Sequence, residues 1–114
     1  MKNLLDVEDL IDYMLVNFYI GKTDWDKNNC YATYNRVDPN GRWRFHSWDA
    51  EKGMHGVNDN LVGRDSGSGP SGLHQNLLAN PEYRLLVADQ IHRHFFNDGV
   101  LTPAAATAIY QVRL

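Results

Sequence analysis

Apolar positions in the first segment recur every three or four residues. Leu10, Ile11, Met14, Leu15, Phe18 and Tyr19 fall at such spacings, which places them on one broad face of an α-helix. Asp6 stands where an N-cap is needed, with Glu8 and Asp9 in a first turn whose dipole favours anions. Gly21 supplies the usual C-terminal stop. The pattern predicts a helix over 7–20, then a polar loop over 22–29. The period next shortens to two. Residues 30–35 (Cys-Tyr-Ala-Thr-Tyr-Asn) and Arg42 to Trp48 both alternate, on either side of the turn signal Asp38-Pro39-Asn40-Gly41. In the second run Trp43, Phe45 and Ser47 share one face, while Arg42, Arg44, His46 and Trp48 share the other. This is the pattern of an antiparallel hairpin.

Beyond the hairpin the pattern weakens. From Gly53 to Gly72 the chain carries Gly53, Gly56, Gly63, Gly67, Gly69, Gly72 and Pro70, and few large apolar side chains. That predicts a long flexible loop of the kind that is functional or disordered. Ser71 or Gly72 should open a short helix reaching about Ala79. Pro81 suits the first position of the next helix, over 82–96, with Tyr83, Leu86, Val87, Ile91 and Phe95 or Phe96 facing a core. Asn97-Asp98-Gly99 ends it, and Thr102-Pro103 starts a last helix. That helix meets Leu114 after about three turns, so the chain reads as cut short there. The fold class expected is α+β: one helix, a β-hairpin, a Gly-rich loop and a helical C-terminal part.

Composition narrows the function classes. With 114 residues, 43% of them hydrophobic and 11% aromatic, the chain can bury a real core. Its net charge is −3 and it has no run of Lys or Arg, which argues against a basic face for nucleic acid and against docking on anionic membranes. The single cysteine, Cys30, has no internal disulfide partner and no zinc-type spacing around it. No apolar run approaches the ~20 residues that cross a bilayer. Asp6, Glu8, Asp9 and Asp12 interrupt anything like a signal peptide.

Candidate chemistry concentrates between Thr23 and Glu51. Asp24 is followed five positions on by Asn29; the hairpin comes next, and Asp49 lies just past its return strand. In protein-kinase-like enzymes a catalytic-loop Asp, an Asn five residues later and a second Asp after a short hairpin hold the reacting hydroxyl and the metal. The preceding helix and the Gly-rich loop also fall in the expected order, the loop where an activation segment would be. Asp-x-x-x-x-Asn alone is common by chance; the ordered set of elements is more specific. Hard oxygen ligands of this kind suit Mg²⁺ or Mn²⁺.

The words around these residues are more specific again. Asn17-Phe-Tyr-Ile-Gly-Lys-Thr-Asp24-Trp-Asp-Lys-Asn-Asn29 with Arg44-Phe-His-Ser-Trp48-Asp49-Ala-Glu51 resembles the CotH family of bacterial spore-coat-type, atypical secreted protein kinases. Leu73-His-Gln-Asn-Leu-Leu-Ala-Asn-Pro81-Glu-Tyr-Arg84 through Phe95-Phe-Asn97-Asp-Gly99-Val-Leu-Thr-Pro103 resembles the family's C-terminal region. The resemblance implies a partial kinase-like domain over 1–114, a C-lobe without the N-terminal lobe that grips ATP. It implies Asp24 in the catalytic role and Asn29, Asp49 and Glu51 as ligands for Mg²⁺ (or Mn²⁺) with ATP. It also implies a serine of a coat or secreted protein as acceptor, and a spore-surface or secreted location. Glu51 departs from the family, many members of which carry Asp at this position. With only about twenty residues ahead of Asp24, strong kinase activity is not expected of this stretch alone.

Other readings compete. A surface or spore-coat structural module could carry the same acidic loop as a relic or as a Ca²⁺ site. Asp24 and Asp26 could simply cap a turn after Gly21, and Asn28 lacks the spacing of Asn29. Trp25, Trp43 and Trp48 read as packing residues, His46 as a strand-face residue and Cys30 as a small hydrophobe. His92 and His94, two apart on a helix, face different ways and make a poor metal pair.

Overall fold

A computed structural model describes residues 4–113. Among these residues the fold is α+β, with four α-helices and one two-stranded antiparallel hairpin. Helix α1 spans Val7–Ile20, strand β1 Cys30–Tyr34 and strand β2 Trp43–Ser47. A 3₁₀ turn at Ala50–Lys52 follows, then α2 at Gly69–Leu77, α3 at Pro81–Phe95 and α4 at Pro103–Arg113.

The first helix begins and ends where its sequence demands. The Asp6 carboxylate accepts a hydrogen bond of 3.1 Å from the Asp9 amide, a cap on an otherwise orphaned donor. Gly21 closes the helix in the left-handed region at φ 59°. The apolar face expected on α1 is in fact two faces. Leu10, Tyr13 and Met14 join Trp25 in one cluster, where Phe45 and Leu73 also pack. Ile11 and Leu15 join Tyr83 in a second, with Val87 and Phe95. The helix therefore sits between the hairpin and α3, and α2 reaches both clusters through Leu73 and Leu77.

The hairpin pairs Cys30 with Ser47 and Tyr34 with Trp43. Its inner face meets α1, where the Phe45 amide donates to Asp9 at 2.7 Å. The segment entering α1 runs parallel to β2, with bonds from Trp43 to the Leu4 carbonyl and from Asp6 to the Trp43 carbonyl.

Helices α2 and α3 depart from expectation. Helix α2 starts at Gly69 rather than at Ser71 or Gly72. Gly69 takes φ +72°, and a Cβ there would lie 2.7 Å from the Asp26 carbonyl oxygen, so backbone approach to the 22–29 loop fixes the start. Pro70 then fills an early helical position whose missing N–H costs nothing. On α3, Tyr83 is buried and Val87 and Phe95 pack on the core as expected, but Leu86 and Ile91 are exposed and polar Gln90 is buried. Helix α4 opens on Thr102, whose hydroxyl accepts from the Ala105 amide, yet Ile109, Tyr110 and Val112 face solvent. Among the described residues, no helix is long and apolar enough to cross a membrane.

Candidate functional site

The loop between α1 and β1 looks polar in sequence but is largely buried. Lys22 and Trp25 are fully buried, and Asp26 nearly so. Trp25 is the anchor. Its ring meets Tyr13 and Phe18 edge-on, each with centroids 6.0 Å away. The Tyr13 hydroxyl donates to the Trp25 carbonyl at 2.7 Å, and burial pushes its pKa far above the usual tyrosine range. With Trp25 fixed inward, its neighbours on the loop take defined places. The side chain of Asp24 stays 16% exposed, while that of Asp26 is wholly buried.

Asp24 and Asn29 meet. The Asn29 amide nitrogen donates to Asp24 Oδ2 at 2.9 Å. Lys52, from the 3₁₀ turn after the hairpin, reaches the same oxygen at 3.7 Å. Asp24 Oδ1 is buried and has no hydrogen-bond partner among the described residues. A carboxylate oxygen held dry without a donor is costly, and it offers an attachment point for a hydroxyl proton or a cation. Asn29 adopts φ 50°, a left-handed conformation that asparagine tolerates better than most residues.

Asp49 lies just past β2 and is exposed, also left-handed, at φ 53° and ψ 63°. The backbone entering it is drawn to the Asp24 loop by Lys22. The Lys22 ammonium donates to the carbonyl of Trp48 and, at 3.5 Å, to that of Asn29. Glu51 occupies the 3₁₀ turn beside Lys52 and is exposed. Among the described residues, no three His, Cys, Asp or Glu side chains stand close enough together to hold a metal ion unaided. Of the residues singled out in sequence, Asp24 and Asn29 are the pair that the structure brings into contact.

Asp26, set beside Asp24 in sequence as a turn cap, does something else. Its Oδ1 accepts from the Ser71 amide at 3.1 Å and its Oδ2 from the Ser71 hydroxyl at 2.6 Å. Arg64 adds an ion pair at 3.4 Å, and its guanidinium lies 5.9 Å from the Trp25 ring centroid. The end of the Gly-rich loop is thereby locked to the Asp24 loop. Ser66 extends the lock, its amide donating to the Ser71 hydroxyl at 2.9 Å. Sequence reasoning missed both Lys22 and Asp26 as organisers. The one signal available was their nearness to Trp25, Asp26 adjoining it and Lys22 three positions before it.

The remaining aromatic and histidine residues divide between packing and surface. Trp43 packs on Tyr34 at 5.3 Å, and Trp48 is exposed. His46 lies against Tyr31 on the hairpin, and His94 pairs with Asp12 at 2.9 Å. Cys30 is a free thiol packed against the core.

A family model described as CotH kinase protein matches residues 1–111. The chain belongs to the CotH family. The match spans the loop, the hairpin and the C-terminal helices, the segments that carry the resemblance in sequence. No curated protein and no solved structure matches this CotH-family chain.

Proposed function

We propose that this CotH-family chain carries the phosphoryl-transfer centre of a protein kinase, arranged like a kinase C-lobe. The donor would be ATP with Mg²⁺ or Mn²⁺, and the acceptor a serine of a coat or secreted protein. The observation that carries the reading is the Asp24–Asn29 contact, with Asp24 Oδ1 left partnerless beside it. When bound, Mg²⁺-ATP supplies the phosphoryl group and neutralises its charge. The protein's part is positioning. Asn29 holds Asp24 Oδ2, which leaves Oδ1 to accept the proton of a serine hydroxyl. The amide oxygen of Asn29 and the carboxylates of Asp49 and Glu51 would be the hard ligands. Lys52 balances the Asp24 charge and, being exposed, is free to swing away.

The test reads metal and nucleotide binding before turnover. Mn²⁺ binding to the chain, followed by the loss of the free-ion electron paramagnetic signal, should tighten when ATP is added. Asp49→Asn should weaken it at least tenfold. Asp24→Asn should leave Mn²⁺-ATP binding largely intact and abolish ³²P transfer to a serine-rich acceptor protein. If Ca²⁺ and Mg²⁺ stabilise the fold equally and ATP adds nothing, the kinase reading falls and a Ca²⁺-binding structural module replaces it.

A further inference from the structure

Lys22 has no place in the sequence argument, yet it is among the largest fully buried side chains. Burying an ammonium costs several kcal/mol unless strong partners compensate. No carboxylate among the described residues pairs with it. Its partners are two backbone carbonyls on segments far apart in sequence, those of Asn29 and Trp48. An ammonium has three donors and can serve both at once, as a side-chain hydroxyl with its single donor cannot. Of these carbonyls, one belongs to Asn29 and the other immediately precedes Asp49. Both residues are held at positive φ, a conformation that persists in non-glycine residues when the surroundings enforce it.

We propose that Lys22 is a positioning residue for the cation site. Its buried ammonium ties the Asn29 backbone to the backbone entering Asp49 and so sets the distance between the two ligands. The inference rests on the reading of Asn29 and Asp49 as metal ligands. It carries a sign that charge alone would reverse. Removing a cation near a metal site should, by Coulomb's law, tighten metal binding, whereas removing a positioning tie should weaken it.

The experiment compares Lys22→Met with Ile11→Val, a core truncation away from the site that controls for lost stability. Mn²⁺ binding to the full chain is measured well below both melting temperatures. Lys22→Met should bind at least tenfold more weakly than wild type, and Ile11→Val should match wild type. Unchanged or tighter binding by folded Lys22→Met overturns the proposal. A wild-type chain that binds no Mn²⁺ removes the metal reading, and the tie is then decided by the φ-dependent HN–Hα couplings of Asn29 and Asp49. These should change in Lys22→Met and stay fixed in Ile11→Val; unchanged couplings overturn the tie. Should Lys22→Met not fold, Lys22→Gln, one atom shorter and uncharged but polar, takes its place, and the same two measurements apply.

Discussion

Replacing Asp26 with alanine should be among the most damaging single changes in this protein. The wild-type carboxylate is wholly buried and accepts two hydrogen bonds from Ser71, at 3.1 and 2.6 Å, beside the 3.4 Å pair with Arg64. Hydrogen bonds to a charged group contribute about 1.5–3 kcal/mol each. Removing one partner of a buried pair costs about 3–5 kcal/mol, because the other is left uncompensated. Arg64 is 31% exposed and can recover some hydration, which puts the expected loss near the lower end, about 3 kcal/mol. For a domain of this size that corresponds to a drop in melting temperature of about 10–20 °C. Thermal unfolding followed by circular dichroism at several scan rates gives the value, provided the transition is two-state. Asp26→Asn keeps the shape and one acceptor and should lose less. A double-mutant cycle with Ser71→Ala should return a coupling of about 1–3 kcal/mol. A folded Asp26→Ala that melts within about 3 °C of wild type would refute the view that this carboxylate locks the two loops.

Other outcomes follow from the same geometry. Gly69→Ala places a Cβ 2.7 Å from the Asp26 carbonyl oxygen at φ +72°, so a loss of about 1–3 kcal/mol is expected in denaturant unfolding, against no loss if the helix start is free to shift. Met14→Ala opens a void at a fully buried position and should cost about 2–5 kcal/mol, whereas Trp48→Ala, at 61% exposure, should cost less than about 1 kcal/mol. The His74–Tyr83 pair, joined at 2.7 Å, sets a pH dependence at both ends. Burial lowers the His74 pKa, so the unfolded chain binds more protons as pH falls below the ordinary histidine value, and stability should decline there. Burial pushes the Tyr83 pKa up to about 12, so the unfolded chain loses its proton first and stability should fall again between about pH 10 and 12. His74→Phe should flatten the acid side of the profile; an unchanged slope would assign the acid loss to other groups.

Much of the fold was legible because it rests on local rules. The α1 boundaries follow from Asp6 and Gly21, the hairpin from its alternation and turn, and the α3 start from Asn80-Pro81. The candidate pair Asp24 and Asn29 was readable from spacing, and the structure brings them into contact. What could not be read depends on long-range partners. Asp26 and Ser71 are 45 positions apart, and Lys22 and Trp48 are 26 apart. No periodicity announces such a pair. The α2 start was misplaced for the same reason, since the contact that requires Gly69 is with the backbone of another loop. The α3 face was misjudged because apolar residues at helical spacing do not reveal how wide a neighbour is available to cover them. Leu86 and Ile91 lie at its margin, while Gln90 turns inward.

The central placement of α1 has a consequence for how the molecule comes apart. The hairpin packs on one side of this helix and α3 on the other, while α2 contributes to both clusters. Across the middle, the two sides are joined by Trp25, by Leu73 and Leu77 of α2 and by the side-chain ties of Asp26. A helix shared by two neighbours is a hinge between cooperative units, each able to open while the other stays closed. Native-state hydrogen exchange should then resolve two families of amides with separate opening energies, one in β1 and β2 and one in α3. The amides of α1 should be the slowest of all, because they are released only when both families have gone.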